Sequence, residues 1–212
     1  MAAPVTYMSI EDFFGNRVDI DDLDANTLRS DHLSAQTFIP LDICALREIA
    51  TNAIQNLAAH GGILASDSTP ILERVNGATD KALRVKWAAS DSNEAQFPPV
   101  PWPPDLDDTS DVIVHLLLSR SGTTDGCIVD VQAYENTVTG SAYAADTEMG
   151  GNTSALTGSA NVIIEATRTL SASDIVGHPG FLNLSLVPAA HTTDILYLWA
   201  AWIEYQREIR TS

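Results

Sequence analysis

Five histidines, two cysteines and a large excess of carboxylates are the side chains here that could do chemistry. His32, His60, His115, His178 and His191 lie far apart, with no H-x-x-x-H or H-E-x-x-H spacing to set two imidazoles on one helix face for a metal. Each reads as a turn histidine or a satisfied core histidine. Cys44 and Cys127 make neither a disulfide framework nor a zinc pattern, and read as two reduced core thiols. No G-x-S-x-G elbow is present, and the glycine-flanked Ser141 and Ser159 lie in loop-like sequence. Neither lysine, Lys81 or Lys86, follows a glycine, which excludes a phosphate-binding P-loop. Two acidic clusters remain, Asp19-Asp21-Asp22-Asp24 and Asp105-Asp107-Asp108-Asp111. Calcium needs hard oxygens converging from a turn, and neither cluster has the D-x-D-x-D-G…E order, so both read as solvated charged turns. A glycosidase needs two acids about 5–10 Å apart in a cleft. With 28 acids some pair always meets that condition, so it carries no signal. No catalytic residue and no cofactor is expected.

The charge balance narrows the partners. Eleven basic residues against 28 acidic ones give a formal charge of −17 over 212 residues. Such a surface repels phosphate backbones and anionic headgroups, so neither nucleic acid nor membrane is an expected partner. No stretch approaches the roughly 18 unbroken apolar residues of a membrane span. The opening MAAPVTYMSIEDFF has no basic region before an apolar run and does not read as a secretory signal.

The elements that must position these residues read mostly as strands. Residues 1–37 carry seven acids, and their isolated hydrophobes follow no sustained period. They read as an extended arm that orders by docking, with Phe13 and Phe14 as its anchor and Asp19, Asp21 and Asp22 as its charge. A disordered or self-packed terminus is the equal alternative. Residues 38–212 form the body. Ile43, Leu46, Ile49, Ala50, Ala53, Ile54 and Leu57 recur at helical spacing and predict one short helix over 43–58. The alternation of Phe38 through Ile43 offers an extended start instead. Leu83, Val85 and Trp87 alternate with Arg84 and Lys86, a half-buried strand with its bases outward. Five prolines between Phe97 and Pro104 forbid a helix and predict a stiff connector held down by Phe97 and Trp102.

Val112–Ser119, apolar apart from His115, suits a central strand, and Cys127–Glu135 places Val129, Val131 and Ala133 on one face. The turn-rich 121–126 between them reads as a hairpin loop. Val162, Ile164 and Ala166 alternate in a further strand, and Phe181–Val187 and Ile195–Tyr205 close the chain. This spacing predicts a mainly β fold, an antiparallel β-sandwich of jelly-roll type. The last strand is apolar on both faces: Ile195, Tyr197, Trp199, Ala201, Ile203 and Tyr205 against Leu196, Leu198, Ala200 and Trp202. Both faces must then be covered, either within the chain or by another subunit. The second reading makes Tyr197, Trp199, Trp202 and Tyr205 a subunit interface.

The runs Phe38-Ile39-Pro40-Leu41, Ala45-Leu46-Arg47-Glu48-Ile49-Ala50-Thr51-Asn52, Gly61–Pro70 and Leu83–Ala88 resemble virion proteins of tailed bacteriophages. The ending Gly180–Pro188, followed by Asp194 through Tyr205, is similar too, so the resemblance covers roughly residues 38–205. It implies a non-enzymatic structural protein: a capsid cement (decoration) protein on the outer surface of the head shell, bound to the major capsid protein and often trimeric. The arm lies outside the resemblance. Two alternatives stand beside this reading. One is a receptor- or glycan-binding module of a tail fibre or spike, which would need exposed aromatics on loops. The other is a glycoside-active enzyme, for which no acid arrangement is identifiable.

Overall fold

In the computed structural model, residues 35–50, 53–54, 70–76, 81–137 and 148–207 are described. Phe13, Phe14, Asp19, Asp21 and Asp22 lie outside them, as do His32 and His60. Of the predicted arm, residues 35–37 open the first strand of the body.

The strands in chain order are β1 (Ala35–Leu41), β2 (Arg47–Ala50), β3 (Ala53–Ile54), β4 (Ile71–Asn76), β5 (Lys81–Trp87), β6 (Glu94–Gln96) and β7 (Val100–Pro101). They continue with β8 (Val112–Arg120), β9 (Ile128–Thr137), β10 (Gly151–Asn152), β11 (Ile164–Leu170), β12 (Gly180–Ala189) and β13 (Leu196–Arg207). Two antiparallel sheets result. Sheet A has the order β11-β8-β13-β5-β4, with β1 also on β13; sheet B has the order β10-β9-β12-β6-β2-β3, with β7 also on β12. From β5 onward the chain crosses repeatedly between the sheets, with β5 in A, β6 and β7 in B, β8 in A, β9 and β10 in B, β11 in A, β12 in B and β13 in A, as in a jelly-roll-like sandwich. No helix among the described residues is long and apolar enough to cross a membrane.

The alternation read in the sequence fills the space between the sheets. Val112, Val114, Leu116 and Leu118 of β8 face Val129, Val131 and Ala133 of β9 and Leu182, Leu184 and Leu186 of β12, all essentially without exposure. Each Val and Leu among them stabilises the fold by roughly 1.5–3 kcal/mol relative to exposure. Phe97 and Trp102 are buried, and the backbone N–H groups of both donate to β12, to Leu184 O and Gly180 O at 2.9 Å. The proline run between them is thus a connector pinned at both ends by aromatic anchors.

Three expectations are corrected. The helix over 43–58 is not formed among its described residues: a 3-10 turn at Ile43–Ala45, capped by the Asp42 carboxylate, leads into β2 and β3. Register with β6 (Arg47 opposite Gln96, Glu48 opposite Ala95) outweighs helical propensity, because it pairs backbone groups and buries Leu46. Residues 121–127 are not a hairpin loop, since β8 belongs to sheet A and β9 to sheet B. They form an arch across the rim of the sandwich. Finally, Cys127 is fully buried but Cys44 is only half-buried in the 3-10 turn, so one core thiol stands where two were expected. Burial, with Asp194 next, pushes the Cys127 thiol up to about 11.

Candidate functional site

The apolar last strand decides where the exposed chemistry lies. Along β13, Leu196 and Leu198 point into the core; beyond a register shift between Leu198 and Ala200, Ala201, Ile203 and Tyr205 do. Trp199 is the extra residue of a β-bulge, and one inserted residue exchanges the faces of everything after it. The double apolarity is therefore in part a face switch and in part, at Leu196–Leu198, two faces covered within the chain, Tyr197 being 7% exposed beneath Arg84. Tyr205 consequently leaves the predicted interface set: it is 5% exposed and donates to Asp105 Oδ1 at 3.4 Å. Burial, then the Asp105 carboxylate, raise its phenol above the usual value. Tyr197, Trp199 and Trp202 belong to the outer side of sheet A.

Two clusters flank this aromatic line. On β5, Arg84 lays its guanidinium over the Tyr197 ring at 3.6 Å and lies 5.2 Å from the Trp199 ring, within cation–π range. Glu73 of β4 holds it, accepting from Nε at 2.7 Å and lying 2.5 Å from Nη2, while Lys86 Nζ sits 3.6 Å from the other oxygen. Trp199 Nε1 donates to Ser119 Oγ at 2.8 Å. On the other side, His115 of β8 stands opposite Trp202 and stacks on it, centroids 4.8 Å apart and planes within 9°. His115 Nδ1 is 2.6 Å from Glu165 Oε1 on β11. Its Nε2 is 3.1 Å from Glu204 Oε2, an ion-pair separation without hydrogen-bond alignment. Gln36 of β1 also donates to Glu204. The sequence marked Arg84 and Lys86 as outward and His115 as the one polar member of its strand, but gave no sign that they meet these aromatics.

The remaining candidates serve the fold. Asp105 takes Arg207 Nε at 2.6 Å, and Asp111 accepts from Ala172 N at 2.9 Å. Asp107 caps its own turn, and the Thr109 hydroxyl it accepts lowers its carboxyl below the usual range. The second acidic cluster thus diverges, and among the described residues no group of three or more His, Cys, Asp and Glu side chains converges on a metal position. At the rim, Asp125 accepts from Asp194 N at 2.7 Å and from Thr193 N, while Asp125 N donates to Asp194 Oδ2 at 2.9 Å. Those N–H groups, Asp194 first, lower the Asp125 carboxyl. Gly122 makes this reciprocal latch possible, since a Cβ there would meet Asp194 Oδ1 at 2.1 Å. His191 is buried, its ring nitrogens 2.6 Å from Asp91 O and 3.3 Å from Asp194 O. Buried Glu135 accepts from Trp102 Nε1 at 2.8 Å, Val176 N at 2.6 Å and Gly177 N at 2.7 Å.

A pocket of about 310 Å³ lies between β2 and the proline connector, lined by Ala45, Arg47, Ile49, Gln96, Phe97, Pro98 and Pro99. Arg47 Nη1 there donates to Ala45 O and Leu46 O. The lining offers no nucleophile and no acid pair.

No protein-family model matches the chain, and no curated protein matches it. Among solved structures it is similar to a xylan-binding module, CBM15, with TM-score 0.46 and 12% identity over 82% of this chain and 100% of that one. It is also similar to the Clostridium thermocellum N-terminal endo-1,4-β-D-xylanase 10B, whose CBM22-1–GH10 modules are complexed with xylohexaose. That match has TM-score 0.40 and 13% identity over 81% of this chain and 28% of that one. At these scores the likeness says nothing of what this chain binds.

Proposed function

We propose that the chain is a non-catalytic virion structural protein, a capsid cement protein that binds the outer surface of a phage head shell. One observation carries the choice between this reading and the glycan-binding alternative: on the outer side of sheet A, aromatic ring faces are turned onto neighbours in the same sheet. Arg84 covers Tyr197, which is 7% exposed, and His115 covers one face of Trp202. A sugar platform needs open ring faces; ring edges set among charges suit a flat macromolecular contact. The resemblance over residues 38–205 points the same way.

In this reading the major capsid protein is the partner and the outer capsid surface the location. The acidic leader, with Phe13 and Phe14 as anchor and Asp19, Asp21 and Asp22 facing basic patches on the shell, supplies the tether. Many weak copies on one particle add up by multivalency.

The test is binding of the purified protein to head shells assembled without it, read by sedimentation and electron microscopy. The full chain should decorate the shells. Removing residues 1–34 should abolish decoration while the thermal midpoint of the body stays where it was. Unchanged decoration would take the leader out of the mechanism. No decoration by the full chain, together with saturable binding to an oligosaccharide, would replace this function by the alternative.

A further inference from the structure

We infer that the outer face of sheet A is also a self-association surface, on which a second copy of this chain packs face to face about a two-fold axis along the strands between β8 and β13. The inference stands on the face alone and does not depend on the capsid reading.

Its basis is the strand order. The axis exchanges β8 with β13; at the level of Ile164 and Glu165 it exchanges β11 with β5, and from Ala166 to Leu170 it exchanges β11 with β1, which takes the place beside β13 from Ala201 onward. An isologous contact requires that the patch complement itself under that exchange. It does. At the centre Leu117 stands opposite Ala200, so apolar groups meet apolar groups there, and the same exchange sets each copy's Trp202 against the other's His115. The β11 side presents Glu165, its side chain 49% exposed. The β5 side presents Arg84 and Lys86 against the single carboxylate of Glu73, a net positive charge. Rotation about the axis lays each copy's Glu165 toward the other's Arg84 and Lys86. An axis across the strands would instead set β11 against β11 and β5 against β5, joining like charges. Charge therefore selects the first orientation, at the roughly 10 Å spacing of stacked sheets. Exposed Phe38 of β1, opposite Glu204, extends the patch.

The experiment is sedimentation equilibrium on the full chain and on two charge reversals. The full chain should have the mass of two copies. Glu165→Arg and Arg84→Glu should each raise the dimer dissociation constant about 100-fold, because like charges then meet at two symmetric contacts at about tenfold each. Mixing the two variants in equal amounts should restore the dimer, since every acid then faces a base again. Should Arg84→Glu not fold, Lys86→Glu takes its place in the mixture; Glu165 is exposed enough to be reversed without unfolding the sheet. A monomeric or trimeric full chain, dimers indifferent to Glu165→Arg, or a mixture that stays monomeric would each overturn the inference.

Discussion

The two outer faces of the sandwich are made by strands of the same kind and yet differ in chemistry. On sheet B the outward residues are Asp130, Gln132, Tyr134 and Asn136 of β9 beside Phe181, Asn183, Ser185 and Val187 of β12. They bond among themselves: Asn183 Nδ2 donates to Asn136, and Gln132 Nε2 to Asp130 at 3.4 Å. The large aromatics of that set are Tyr134, 37% exposed, and Phe181 at the end of β12, opposite Asn136. Sheet A carries Tyr197, Trp199 and Trp202, each backed by a cation, a hydroxyl or an imidazole, with exposed Phe38 of β1 beyond them. A face meant for water satisfies its polar groups locally and spends little apolar area. A face meant for a partner holds aromatics in place before the partner arrives, which lowers the entropy lost on binding.

The comparison can be broken most directly at its aromatics. Trp202→Ala removes a half-buried indole stacked on His115 and should cost about 2 kcal/mol, with self-association lost as well. Tyr134→Ala on sheet B should cost under about 1 kcal/mol and leave association intact. Urea unfolding and sedimentation on both variants check the contrast; equal effects would erase the distinction between the faces. A smaller effect is expected from Arg84→Ala, about 1 kcal/mol, because the cation–π contact with Tyr197 and the Glu73 pair go together. Raising salt should narrow the gap between that variant and the parent, as screening removes the ion-pair share.

The smallest effect separates the faces from the rim that joins them. Because the Asp125 carboxyl is held below its usual range, its contribution is fully present above the unfolded value of about 3.9. It disappears as pH falls through the lower, folded value. Thermal midpoints measured from about pH 5 to pH 2 should therefore fall, and Asp125→Asn should flatten that part of the profile by lowering the midpoint near neutrality toward its acid value. A variant with an undiminished acid slope would show that other carboxylates govern the rim.

Much of the fold was legible because period-2 alternation states directly which residues share a face. That holds for β9 and, from Ile164 onward, for β11, while Val162 lies before the strand and is exposed; the proline run with Phe97 and Trp102 behaved as its composition required. The misreadings share a cause. Residues 43–58 satisfy a helical spacing, but pairing of β2 with β6 is a contact across more than forty residues that no local window contains. The 121–126 segment has hairpin chemistry, yet turn residues say only that the chain reverses, not which sheet it enters. The bulge at Trp199 shifts Tyr205 inward through one unpaired residue; the unbroken apolar run from Leu196 to Trp202 was its trace, equally compatible with a strand covered on both sides. Glu135 and Asp194 had no trace at all, since a buried carboxylate is defined by the N–H groups that reach it.

By itself, then, the sequence determined an acidic, strand-built sandwich and the inward members of its regular strands, because burial and alternation act between near neighbours along the chain. Only the tertiary structure decided which strands share a sheet, where β13 turns its other side outward, and which charges come to rest against Tyr197, Trp199 and Trp202. Those are matters of register between distant segments, where a shift of one residue exchanges inside for outside at no change in composition.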